Sequence, residues 1–243
     1  MNVDEALARA ERALAEGSSL KGKGFWKAVD EVRRDRGLAD RYADRIGTID
    51  RRAFERGVRL RLRAWIGVVG LSAISAFGVF AVVLAFRAGA KEPYIARFVE
   101  APDVNAFAWP GFIPIAFLIG FGALIVGTHS LAHWIVGRLL GIRFTHVFLG
   151  GPPPPRPGFK TDYATYLRTS PRKRALMHAS GAVVTKIVPF ALLPVSLSFY
   201  AGWPWLTWVL ITVTVVQIVT DVFLSTKVSD WKKVLREVRA ARS

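Results

Sequence analysis

Two histidines four residues apart, His129 and His133 in GTHSLAHWIVGRLLGI, have the residue type and spacing for metal chemistry. At helical spacing they share one face, about 6 Å apart along the axis, so their imidazoles can converge on one ion. Two neutral imidazoles alone would hold a divalent ion weakly, and an anionic third ligand is expected. Asp221 is the only carboxylate inside the apolar stretches of the chain. Counted back from Arg138 and Lys227 at about 1.5 Å per residue, His133 and Asp221 lie at matching depths. Two histidines and one carboxylate with an open fourth position suit catalytic zinc, and this ligand chemistry makes Zn2+ the first choice of metal. His178 is expected at a similar depth, as a competing ligand or a hydrogen-bond partner of one. Lys186 offers Asp221 a different role, as half of an ion pair between helices. His146 is expected in a loop without a part in the site.

The elements that must carry these residues are membrane helices. Of the 243 residues 52% are hydrophobic, yet 34 Lys+Arg stand against 18 Asp+Glu, extremes that soluble domains rarely combine. Segregation along the chain resolves the conflict. The run AWIGVVGLSAISAFGVFAVVLAF, after Arg63 and before Arg87, carries no charge and is long enough to cross a hydrocarbon core of about 30 Å. Similar runs predict spans at about 64–86, 110–138, 177–200 and 205–226. The fold class expected is an all-α polytopic membrane protein of four transmembrane helices. Residues 1–63 read as a cytoplasmic region of amphipathic helices lying on the membrane or on a partner, and residues 227–243 as a basic cytoplasmic tail.

Charge orients the four spans. Residues 1–63, 138–175 and 227–243 carry net charges of +5, +7 and +4, whereas 87–109 is neutral. The positive-inside rule then places both termini in the cytoplasm, in a protein of the cell membrane. Trp65, Trp109, Trp134, Trp203 and Trp205 fall near the expected helix ends, where an aromatic belt belongs. Basic segments facing anionic headgroups account for the high isoelectric point, so the expected partner is the lipid bilayer and no nucleic acid is implied. With no cysteine in the chain, disulfides and thiolate metal sites are excluded.

In this setting HSLAH, ASGAVVTK (Ala179–Lys186) and the aspartate of IVTDVFLSTK resemble, in order and spacing, the site-2 protease family of intramembrane zinc metalloproteases. The resemblance spans roughly residues 111–227. It implies a zinc ion on His129, His133 and Asp221, and a membrane-anchored protein segment as substrate or partner. HSLAH departs from the family's H-E-x-x-H at the glutamate, Lys186 stands where asparagine is usual, and the family's Asp-Gly pairing is absent. Ser130, at the position of the missing glutamate, cannot act as general base at neutral pH. General acid–base help is typically worth about 10²–10⁴ in rate, so the expected peptidase activity is impaired. The alternative expectation is a non-enzymatic polytopic scaffold or ion-pathway component.

The loop after the second span contains GGPPPPRPG, an extended polyproline stretch. FKTDYATYL follows, where alternation of Phe159, Thr161, Tyr163, Thr165 and Leu167 predicts a short strand. Such a strand could pair with an extended substrate segment at its edge. Gly120, Gly122 and Gly127 predict close helix contacts in the second span.

Overall fold

The structure, a computed structural model, describes residues 2–58, 60–89, 112–150, 156–198, 202–223 and 229–242. In chain order it runs α1 (Val3–Ala15), α2 (Phe25–Val32), α3 (Arg36–Gly57), β1 (Arg61–Arg63), α4 (Ala64–Gly89), α5 (Phe112–Leu139), β2 (Phe144–Gly150), β3 (Arg156–Thr161), α6 (Tyr163–Arg168), α7 (Pro171–Leu197), α8 (Pro204–Phe223) and α9 (Asp230–Ala240). Helices α4, α5, α7 and α8 are each long and apolar enough to cross a membrane. Phe77, Phe80, Ile119, Ile187, Phe190, Trp208 and Val215 are exposed on them, a surface suited to lipid rather than water. The third of these helices begins at Pro171, six residues before the expected start at 177, because RKRA continues the helical turn after Pro171. Trp109, Pro110, Tyr200, Lys227 and the prolines at 152–155 lie outside the described residues.

The chain divides into two compact units, residues 1–68, 133–179 and 232–243 in the first and 69–132 and 180–231 in the second. In the first unit the N-terminal helices turn apolar residues into a common core. Val3, Leu7, Leu14, Phe25, Val29, Ile46 and Ile49 are buried in one core with Ile142, Tyr166, Leu167 and Met177. Helix starts follow from capping: Asn2 accepts from the Glu5 amide and Asp35 from the Leu38 amide, each satisfying a donor left open by the first turn. In α3 the buried positions Ala39, Tyr42, Ala43, Ile46 and Ile49 recur at helical spacing, which directs one stripe of the helix inward.

The same unit holds a three-stranded antiparallel sheet in the order β1–β2–β3, with Arg61 opposite Phe148 and Val147 opposite Phe159. Only one short strand was expected, and its span is corrected. Residues Phe159–Thr161 end β3, but Tyr163–Leu167 form helix α6, burying Tyr166 and Leu167. An alternating pattern over so short a run is also compatible with one and a half helical turns, and burial of Tyr166 decides for the helix. His146 sits in β2, not in a loop. Lys160 of β3 reaches Asp50 of α3 at 2.5 Å, and burial holds the Asp50 carboxyl above the ordinary carboxylate range against the pull of that lysine.

Helix α5 ends in a Schellman motif. Gly141 has φ +86°, the Gly141 amide donates to the Arg138 carbonyl, and the Ile142 amide donates to the Gly137 carbonyl. Only glycine adopts that backbone without strain, and Ile142 then enters the core.

In the second unit, Val82 and Ala85 of α4, Ala116, Phe117 and Phe121 of α5, Leu192 of α7 and Leu206 and Leu210 of α8 are buried together. Helices α4 and α5 meet at glycines: a Cβ on Gly120 would lie 2.8 Å from the Gly78 carbonyl oxygen, and one on Gly127 would collide with Ser75 Oγ. Gly122 meets nothing within 4 Å and has no part in this approach. Gly120→Ala is therefore expected to force the two helices apart and cost about 1–3 kcal/mol, with Gly122→Ala near neutral. Thermal unfolding of the two variants in the same detergent measures the difference.

Candidate metal centre

His129 and His133 lie one turn apart on α5 as their spacing requires. Within the second unit His129 Nε2 is 3.4 Å from Asp230 Oδ2. His133 follows one turn further along the same helix. Zn–N and Zn–O bonds of about 2.1 Å at a tetrahedral angle put two ligand atoms about 3.4 Å apart. The His129–Asp230 separation is thus an edge of a zinc tetrahedron. Both groups are largely shielded, with side-chain exposures of 33% and 15%.

The hydrogen bond on the second histidine selects its tautomer. His133 Nδ1 lies 2.7 Å from the Met177 carbonyl oxygen. A carbonyl only accepts, so Nδ1 carries the proton and the lone pair is on Nε2. Metal-binding histidines are oriented in this way by a backbone acceptor on the other nitrogen.

Asp221, the carboxylate expected as third ligand, is engaged elsewhere. It forms an ion pair with Lys186 and accepts a hydrogen bond from Trp231 Nε1 at 3.0 Å. The residue brought to His129 is Asp230 instead. Asp230 opens α9, and an acidic residue at the first position of a helix is favoured there by the dipole. Lys186 accordingly serves Asp221 rather than a metal ligand. Ser130, between the histidines, is 7% exposed.

His178 lies beside His133, ring centroids 6.4 Å apart, and is tied into a buried network. Tyr166 Oη donates to Glu237 Oε1 at 2.9 Å and lies 2.9 Å from His178 Nε2. With its one proton committed to the carboxylate, the hydroxyl accepts from His178 Nε2–H. Burial, with the Glu237 charge, raises the Tyr166 phenol well above its ordinary range and keeps it a donor. Glu237 also receives Arg174 Nε at 2.7 Å, and Arg174 donates to the carbonyls of Leu167 and Arg33. Arg174 and Glu237 are 1% and 0% exposed. His178 is a residue that the sequence places near the histidine pair; Tyr166 and Glu237 carry no such signal.

Comparison with protein-family models, with curated proteins and with solved structures finds no match.

Proposed function

We propose that the chain is a membrane-embedded zinc protein of site-2-protease-like organisation, in which His129, His133 and Asp230 hold the ion and peptidase activity is weak or absent. The observation that carries this reading is the His129–Asp230 spacing of 3.4 Å, one helical turn from His133, whose ring is oriented by the Met177 carbonyl on Nδ1. Three protein ligands leave a fourth position open, the arrangement of catalytic rather than structural zinc. A bound zinc ion would supply an acidified water and a Lewis acid at that position. The chain's own contribution is to orient His133, to shield the ligands and to place Ser130 where a proton acceptor would be needed. A buried serine hydroxyl does not take that proton at neutral pH, so the site favours holding a membrane-anchored segment over cutting it. Strand β3 is an edge of its sheet and offers backbone groups to an extended segment. We further assign both termini to the cytoplasmic side from the basic flanks of the apolar helices.

One observation favours a second reading, a non-enzymatic membrane scaffold. Lys186 and Asp221 pair between α7 and α8, and such intramembrane pairs also serve helix assembly alone.

Zinc content of the detergent-purified protein separates the two. About one zinc per chain is expected in the native protein and in Asp221→Asn, with loss in His129→Ala, His133→Ala and Asp230→Asn. Loss in Asp221→Asn with retention in Asp230→Asn would return the ligand role to Asp221. A folded native protein that takes up no zinc leaves the scaffold.

A further inference from the structure

A second site lies in the first unit, where the end of α2 meets α9. A cavity of about 420 Å³ is lined by Arg33, Arg34, Lys232, Arg236 and Arg239, with Leu235 and Ala240 as its apolar part. On α9 the residues 232, 235, 236, 239 and 240 fall at i, i+3, i+4, i+7 and i+8, the spacing of one helical face. That face would ordinarily be apolar if it packed, or mixed in charge if it were only solvated. Here it is cationic and concave.

Cations near helix C-termini also complement the helix dipole, and Arg33, Arg34 and Arg239 all stand at such ends. That effect accounts for single residues at the end of each helix. It does not account for five cations converging on one cavity, each repelling the others. Nor does it account for Arg33, which is 6% exposed and so has lost most of its hydration. Arg33 has two carboxylate contacts, Asp30 at 2.9 Å and Glu237 at 3.5 Å. Glu237 is shared with Arg174 and Arg236, so the carboxylates on this wall are divided among several guanidiniums. Arg34 and Arg239 are exposed.

We infer that this cavity binds a phosphate group, held by the exposed guanidiniums of Arg34, Arg236 and Arg239 together with that of the buried Arg33. Guanidinium forks bind the oxygens of a tetrahedral dianion pairwise. The phosphate would come either from a phosphomonoester lipid headgroup or from a free phosphate, and both use the same donors.

The test uses the full chain in phosphatidylcholine nanodiscs, titrated calorimetrically with inorganic phosphate and, separately, with water-soluble dioctanoyl phosphatidic acid. Saturable binding near one per chain is expected for at least one probe, weakened tenfold or more in Arg34→Ala/Arg239→Ala. Both side chains are exposed, so the double variant keeps its fold, which circular dichroism and retention of the native melting temperature verify. Binding of inorganic phosphate, with or without the lipid, assigns the site to free phosphate. Binding of the lipid probe alone assigns it to a headgroup. Absence of binding by both probes, or binding that the double variant leaves unchanged, overturns the proposal.

Discussion

Glu237→Ala is expected to destabilise the first unit by about 3–5 kcal/mol, the cost of leaving a buried charge without its partner. Arg174 is 1% exposed and would keep only the carbonyls of Leu167 and Arg33 as acceptors. Tyr166 would lose the acceptor for its proton as well. A loss of this size is a large part of the stability of an ordinary domain, so residues 2–58 should become sensitive to protease where the native protein resists. The second substitution in a double-mutant cycle identifies the cause. Arg174→Met in the Glu237→Ala background should recover part of the loss, because the stranded charge is gone. If the double variant is as unstable as the sum of the singles, packing and not charge is responsible.

Ser130→Glu is expected to raise zinc-dependent peptide hydrolysis by about 10²–10⁴, the usual worth of a positioned general base. The substitution places a carboxylate next to His129 on α5, in the order that the H-E-x-x-H pattern uses. Ser130 is 7% exposed, so the added atoms must displace neighbours, at a cost of about 1–3 kcal/mol in stability. A nearby cation favours the ionised form of a carboxylate, and the gain should therefore require added zinc and vanish in Ser130→Glu/His129→Ala. Cleavage of membrane-anchored reporter peptides, followed by mass spectrometry, reads the outcome. A folded, zinc-loaded Ser130→Glu protein that yields no product would show that the missing base is not what limits the site.

The apolar helices were legible because hydrophobic runs of span length have few other solutions in a chain of this composition. The two histidines were legible for a local reason, since spacing on one helix fixes their relation. Asp230 was not, because it lies just beyond an apolar run, in a segment that reads as a charged tail. Its signal was present as an acidic residue opening the helix Asp230–Ala240. The sheet was hidden for a different reason. Strand β1 is only Arg-Leu-Arg with every side chain exposed, so no burial alternation marks it, and its existence depends on pairing with β2 far along the chain. The Arg174–Glu237 pair is likewise non-local, and no property of either residue alone announces it. The N-terminal helices were seen as amphipathic, but only tertiary packing shows that their buried residues share a core with Ile142, Tyr166, Leu167 and Met177.

The first unit takes its residues from three separate stretches, and its last contribution is α9. During synthesis, α1–α3 therefore leave the ribosome long before the helix that supplies Glu237, with all four apolar helices made in between. Until then Arg174 has no carboxylate to meet, and the N-terminal helices cannot complete their unit. Folding of this unit is consequently a late event, coupled to synthesis of α9, whereas most domains fold as they emerge. A chain cut short before Glu237 would carry its apolar helices and its histidines, yet lack the finished first unit, and would be recognisable to the cell's proteases as incomplete.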